Sequence, residues 1–285
     1  MILNAIILYG LKALLTLASG LGKQKKLFVL IYHRVLNEPD AMRPGEVDKV
    51  VFCWQMALLA KYFNVLSVSE ALEKLQANSL PSRAVCITFD DGYADNLLNA
   101  VSILKKHQLS ATFFIASGYL DGGRMWNDSI IEAVRIMPQT GLDLSGIKLG
   151  CYTITTAAQR QAAARDIIIK LKHVDPQQRL RLSQHIAELA GALPDDLMLT
   201  SEQLRQLHQQ GMEIGGHTIS HPILAKLGSY VAAQEIKDNK KSLERLLNAE
   251  VRYFAYPNGK PGADYLPEHI DTVKEAGYQA AFSTQ

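Results

Sequence analysis

Two short stretches of this 285-residue chain carry side chains that could do chemistry together. The first is Asp90-Asp91-Gly92, directly after Thr88-Phe89. Neighbouring residues on an extended chain point to opposite sides, so one carboxylate could bind a cation while the other handles a proton. Asp-Gly is also ordinary turn chemistry, and the pair alone does not decide between the two. The second stretch is His217-Thr218-Ile219-Ser220-His221. Histidines at i and i+4 share a face where a strand passes into a helical turn, which is how two imidazoles reach one metal ion. A pair of hydrogen-bonding surface histidines has the same spacing. No Glu follows His217, so this is not the zincin arrangement. Gly215-Gly216 just before it would let backbone approach the site closely. One Asp and two His together leave a divalent ion with open positions, the usual form of a catalytic site. Such an ion polarises a carbonyl and lowers the pKa of bound water, and a carboxylate beside it can take the proton.

Elements remote in sequence must bring these groups together. From Leu27 onward, short apolar or β-branched runs alternate with helical periods, the signature of an α/β domain with a mainly parallel sheet. Strands are expected at Leu27–Tyr32, Ala84–Phe89, 111–116, 212–216, 251–256 and 278–283. Helices are expected at 51–63, 69–76, 97–107, 200–210, 229–248 and 267–276. Several strands run into polar residues: His33-Arg34, Asp90-Asp91, His217 and Pro257-Asn258. In parallel α/β barrels the carboxyl ends of strands converge on the face that holds the active site. Residues 121–199 break the rhythm with two long helical patterns, 156–173 and 176–189, as an insertion on the barrel or a lid beside the site.

Composition sets outer bounds. Apolar residues make up 48% and charged residues 20%, which excludes a disordered or collagen-like chain. A net charge of +2 does not advertise a nucleic-acid partner. Cys53, Cys86 and Cys151 are too few and too scattered for a disulfide framework or a cysteine zinc site. Cys86 reads as a small core hydrophobe, and His107, His173, His185 and His208 read as surface residues. From Ile2 to Gly22 the only charge is Lys12, and Asn4, Lys12, Thr16 and Ser19 share a helical sector of roughly 120°. Residues 1–26 therefore read as an amphipathic helix, lying in a membrane interface or docked on the domain, with peripheral membrane contact as the expectation; the run is also barely long enough to span. No basic residue precedes the run, so a cleaved secretory signal fits poorly. The localisation stays open between the membrane or cell envelope and the cytoplasmic face.

Thr88-Phe89-Asp90-Asp91-Gly92 followed by His217-Thr218-Ile219-Ser220-His221-Pro222 resembles the first two motifs of the polysaccharide deacetylase (NodB-homology) family of carbohydrate esterases. Ile31-Tyr32-His33-Arg34-Val35 together with Phe254-Ala255-Tyr256-Pro257-Asn258-Gly259 is similar to the subgroup that includes poly-N-acetylglucosamine deacetylases. The resemblance covers residues 27–285 and implies a distorted (β/α) barrel with a helical insertion at about 121–199. It implies metal-dependent removal of N-acetyl groups from an amino-sugar polymer, with exopolysaccharide modification as the setting and an N-acetylated glycan as the partner. It further implies Asp90 as general base, and Asp91, His217 and His221 as ligands of one divalent ion, zinc first, then cobalt or nickel.

The third family motif is only partly matched, because Ala255 stands where the Arg that braces the catalytic Asp is common. Arg252 should face the other side of its strand, and Arg34 is the candidate brace. The backbone N–H of Asn258 can still serve an oxyanion, since a main-chain donor does not depend on side-chain identity. Tyr256 and Pro257 accompany it as substrate contacts. The family's late His has no match: His269, the only later histidine, falls in an expected helix. His33 is therefore the candidate general acid, or alternatively a capped rim histidine. Trp126 could stack on a sugar or belong to the core of the insertion. Two other readings stand beside the hydrolase. One is a non-catalytic carbohydrate-binding or assembly protein with a degenerate site. The other is a metallo-phosphohydrolase, for which too few further ligands are visible.

Overall fold

The computed structural model describes residues 15, 16, 19, 20 and 25–284. The chain runs through Leu27–Tyr32 (β1), Val35–Leu36 (β2), Val47–Asp48 (β3), Lys49–Tyr62 (α1), Asn64–Val65 (β4), Val68–Gln76 (α2) and Ala84–Phe89 (β5). It continues with Val101–Lys106 (α3), Thr112–Ile115 (β6), Trp126–Ile136 (α4), Gly141–Leu144 (β7), Gly150–Thr153 (β8), Ala157–Leu171 (α5) and Pro176–Ala190 (α6). The last elements are Ser201–Gln209 (α7), Glu213–Gly216 (β9), Ser229–Leu247 (α8), Tyr253–Ala255 (β10), Pro267–Glu275 (α9) and Ala280–Phe282 (β11).

β5, AVCITF, is buried along its whole length, the continuous apolar run that a strand covered on both faces requires. It pairs in parallel with all of β1, from Leu27 opposite Ala84 to Tyr32 opposite Phe89. Its other edge is shared: β4 pairs with Ala84 and Val85, and β6 pairs with Thr88 and Phe89. The sheet runs β1-β5-β6-β9-β10-β11 with every pair parallel, curled into a half-barrel whose edges are β1 and β11. All six strands expected from the sequence are consecutive neighbours in it. Parallel pairing places His33, Asp90, His217 and Tyr256, which follow β1, β5, β9 and β10, on one rim.

The expected helix at 97–107 opens instead as a wide turn over Asn96–Ala100 before α3. There Asn96 Nδ2 donates to the His33 carbonyl (2.9 Å) and Asn99 Nδ2 donates to the Val35 carbonyl (2.7 Å). Two side chains thus satisfy the loop that carries His33, at the expense of regular helix there. The two-residue strands β2, β3 and β4 and the β7–β8 hairpin have no period long enough to read from sequence.

The main core lies between the sheet and its outer helices, with Phe89 stacked on Phe113 (centroids 4.6 Å apart) and Phe52 and Tyr32 edge-on or stacked around them. Residues 126–190 carry a second core, including Ile130, Val134, Leu142, Ile154, Ile167 and Ile186. Most of the expected N-terminal helix, including Asn4 and Lys12, lies outside the described residues. Of its polar sector, Ser19 is buried and donates to the Thr16 carbonyl (2.8 Å), while the Thr16 hydroxyl accepts from the Arg83 guanidinium. Among the described residues no helix is long and apolar enough to cross a membrane.

His269 sits in α9, buried, and accepts the Leu266 N–H on Nδ1 (2.9 Å), capping the helix from its third residue. Burial lowers its pKa, and Glu268 opposes this only in part. The unfolded chain therefore takes up this proton first. The imidazole's contribution is complete above the unfolded value of about 6.5 and is lost as pH falls. His269→Gln keeps a reach-back acceptor that does not titrate, so its Tm should fall less than that of wild type between pH 7.5 and 5.5 in paired thermal melts. Equal losses would show that the cap does not carry this dependence.

Candidate metal centre and its cavity

At the end of β5 the chain turns through Asp91 at φ 77°, a left-handed conformation. Asp91 is therefore not an extended neighbour of Asp90, and the two carboxylates diverge because the backbone itself turns. The carbonyl of Asp91 accepts the Ala116 N–H (3.2 Å), which ties this turn to the end of β6. Asp91, His217 and His221 each present one ligating atom, all within 4.8 Å of one another. Asp91 Oδ1 lies 3.6 Å from His217 Nε2 and 3.4 Å from His221 Nε2.

The two histidines are not on a helical turn, as the spacing suggests. After His217 the chain folds through left-handed residues, Thr218 at φ 66° and His221 at φ 51°, and the two rings come to 4.8 Å between centroids. A β-branched residue at positive φ is strained. Surrounding bonds hold it: the buried Thr218 Oγ1 donates to the His217 carbonyl and accepts the His221 N–H (3.1 Å). Helix α8 supplies the rest. Asn239, fully buried, accepts the His217 N–H on Oδ1 and donates through Nδ2 to the carbonyls of Ile115 and Thr218. One turn earlier, Glu235 accepts the N–H groups of Ile219 and Ser220, each at 2.8 Å. Gly216 makes this possible, since a Cβ there would collide with Asn239 Oδ1 and the Tyr278 hydroxyl. The space left by Gly216 thus admits the Asn239 and Tyr278 side chains from behind. Gly215 likewise makes room for the Phe114 ring.

The electrostatics fit a cation. Burial, then the neighbouring His221, pushes His217 down to about 3; burial, then His33 and Arg179, does the same to His221. Both rings are neutral at ordinary pH. His217 Nδ1 meets the Ala255 carbonyl at 2.7 Å and must donate there, which leaves a lone pair on Nε2. Asp91 Oδ1 is buried with no hydrogen-bond partner. Asp91 Oδ1 and His217 Nε2 thus face each other as bare acceptors, with His221 Nε2 3.4 Å from the same carboxylate oxygen. Ligands about 2.0–2.2 Å from a tetrahedral zinc stand roughly 3.3–3.5 Å apart, close to the separations from Asp91 to the two rings. The residues fit a divalent ion.

Asp90 and His33 share a cavity of about 250 Å³ with His217, His221, Ile31, Tyr256, Asn258 and Thr284. Burial raises Asp90 to about 7, with His33 lowering and Asp91 raising it. For His33 burial works against the charge, but Asp91, Asp90 and Glu46 outweigh it and the pKa rises. Asn258 stands at φ 60°, and its N–H makes no hydrogen bond within the described residues. Its carbonyl accepts the Thr284 hydroxyl (2.7 Å). Tyr256 stacks on Tyr265 at 3.8 Å, while Pro257 is buried and does not line this cavity. Trp126 lines an adjoining cavity with Asp91, His221 and Asn258.

Arg34 does not brace Asp90. Its guanidinium pairs with Asp95 (2.8 Å) and lies over Tyr93, so its charge is already matched. Arg252 faces away, donating to Ser69 Oγ (2.8 Å), and Ala255 is buried beside the cavity wall. His269 belongs to the α9 cap. Sequence reasoning did not single out Asn239, Glu235 or Arg179, because each sits in a helix whose period reports burial and not what a side chain touches.

A curled parallel sheet with an Asp-His-His cluster and a second Asp at its carboxyl rim defines a class, the α/β barrels that gather their polar residues at the strand ends of one face. The family model described as polysaccharide deacetylase matches residues 77–281, and the chain belongs to the polysaccharide deacetylase family. Among curated proteins it is 24% identical over 264 residues to the "Putative polysaccharide deacetylase YxkH" of Bacillus subtilis (strain 168), covering 92% of this chain. The chain spans 66% of that relative's length. Of solved structures, the Streptococcus pyogenes deacetylase PplD, in complex with acetate, aligns with a TM-score of 0.58 at 20% identity over 91% of this chain and 84% of its own. A de-N-acetylase from Aggregatibacter actinomycetemcomitans aligns with a TM-score of 0.57 at 20% identity over 90% and 87%. These two likenesses show the fold.

If Thr218 fixes the second imidazole, Thr218→Val should weaken zinc affinity about 10-fold or more by calorimetry, as expected when an outer partner of a ligand is lost. Thr218→Ser should stay near wild type. Equal affinities for all three proteins would remove Thr218 from the support of the site.

Proposed function

We propose that the chain hydrolyses N-acetyl groups of an amino-sugar polysaccharide, with a divalent ion, zinc first, held by Asp91, His217 and His221. One observation carries this reading: Asp91 Oδ1, His217 Nε2 and His221 Nε2 converge at ligand spacing, and the two imidazoles line one cavity with Asp90 and His33 in a polysaccharide deacetylase fold. The de-N-acetylase among the structural neighbours is in keeping with an N-acetyl rather than an O-acetyl group.

When bound, the ion would supply Lewis acidity toward the acetamide carbonyl. Asp90, with a pKa near neutrality, takes the proton of the attacking water. The Asn258 N–H donates to the oxygen on which negative charge develops. His33, held toward its charged form by the carboxylates around it, gives a proton to the amine as the C–N bond breaks, leaving acetate and a free amino sugar. Tyr256 and Trp126 contribute aromatic walls to which pyranose rings pack. Modification of an exopolysaccharide, with residues 1–26 holding the protein at a membrane surface, is the setting we assign.

A second reading has an observation of its own. Ala255 leaves Asp90 with no arginine or lysine partner among the described residues, which suits a glycan-binding protein that has lost turnover. Zinc-loaded protein offered chitohexaose separates the two, with free amine as the readout. Asp90→Asn should lower kcat by about 10³-fold with zinc content unchanged. His33→Ala should lower it by about 10²-fold or more. Binding without amine release by wild type would favour the second reading, and full turnover by Asp90→Asn would show that the base is another group.

A further inference from the structure

Beside the metal cluster lies a second cavity of about 160 Å³, bounded on one side by Asp91, His221 and Asn258 and on the other by residues 126–179. That far wall carries two cations, Lys172 from the end of α5 and Arg179 from the first turns of α6. Arg179 is 6% exposed. The two other buried arginines of the described residues each have carboxylate partners: Arg34 pairs with Asp95, and Arg43 with Asp128 and Glu132. Arg179 has none. Its guanidinium donates to the Lys172 carbonyl (3.0 Å) and lies 4.9 Å from the Trp126 ring centre, without a salt bridge among the described residues. Asp175, the carboxylate nearest in sequence, accepts the N–H groups of Gln177 and Gln178 at the start of α6 and favours the Arg179 charge only through space. Lys172 likewise forms no ion pair among the described residues.

A buried charge without a partner is expensive, and such groups normally pair or bind a ligand. A guanidinium fork presented to a cavity, with an ammonium beside it, matches a carboxylate or a phosphate group. We propose that this cavity is an anion subsite, in which Arg179 and Lys172 select a glycan carrying a carboxylate or phosphate group next to the acetamido sugar. The inference rests on the deacetylase reading for the position of the acetamide, but the anion preference is measurable without turnover.

Calorimetry on zinc-loaded Asp90→Asn protein would compare two hexasaccharides, neutral chitohexaose and a hyaluronan fragment in which N-acetylglucosamine alternates with glucuronate. N-acetylglucosamine 1-phosphate against N-acetylglucosamine is the phosphate arm. At least one anionic ligand should bind 10-fold or more tighter than its neutral counterpart, and the arm that does so identifies the anion. Added Arg179→Gln should erase that ratio, Arg179→Lys should keep part of it, and zinc content should not change in either. Raising NaCl from 50 to 500 mM should weaken the anionic ligand selectively, a test that needs no variant at position 179. Equal binding of charged and neutral ligands, or a ratio that survives Arg179→Gln, overturns the subsite even if chitohexaose is deacetylated. An intact ratio with no amine released from any substrate by wild type upholds the subsite and removes the deacetylase reading.

Discussion

The constraint on which the site depends is an electrostatic one. Asp91 Oδ1 and His217 Nε2, both buried acceptors, face each other at 3.6 Å with no proton between them, and Nε2 of the half-buried His221 lies 3.4 Å from the same oxygen. Lone pairs gathered in this way repel one another, and the fold must hold them against that repulsion. It does so through atoms that take no part in binding. The Ala255 carbonyl fixes the His217 tautomer, Thr218 staples the turn, and Asn239 with Glu235 anchors that turn to α8. Four residues of this rim, Asp91, Thr218, His221 and Asn258, hold left-handed backbone, and at Thr218 such strain persists because its surroundings over-determine it.

The parallel sheet explains why so distant residues meet. With every strand paired in the same sense, each β-to-α turn emerges on one side, and chemistry needs only a short polar segment after an apolar run. That economy made the architecture legible. AVCITF running into Asp90-Asp91 and the Glu213–Gly216 strand running into His217 are visible as strands with polar tips, and all six expected strands lie side by side. The shortest elements were not legible, because two residues carry no period.

Within the site, what could be read was residue type and spacing. Asp91, His217 and His221 were marked by being the right ligands at strand ends. The geometry that unites them was not, since the turn after His217 depends on a positive φ at threonine that no propensity favours. Supporting groups on α8 escaped notice for a related reason: Asn239 lies in an amphipathic helix, where its burial looks like any other inward position. Arg34 shows the opposite error. Its position in sequence suggested Asp90, yet a nearer carboxylate, Asp95, had already claimed the charge.

Among the described residues one apolar core lies beneath the sheet and another inside residues 126–190, with smaller clusters beside them, and polar contacts such as Tyr93 with Asp128 (2.9 Å) and Arg43 with Glu132 link the rim to the 126–190 segment. Side chains from the first core's strands gather the acceptor cluster, while those from the second form the opposite bank of the neighbouring hollow. Under the proposed reading, reactivity and recognition therefore rest on separately packed parts of the chain. Substitutions along the bank can then change what that hollow accepts without disturbing the apolar packing that holds the rim in register.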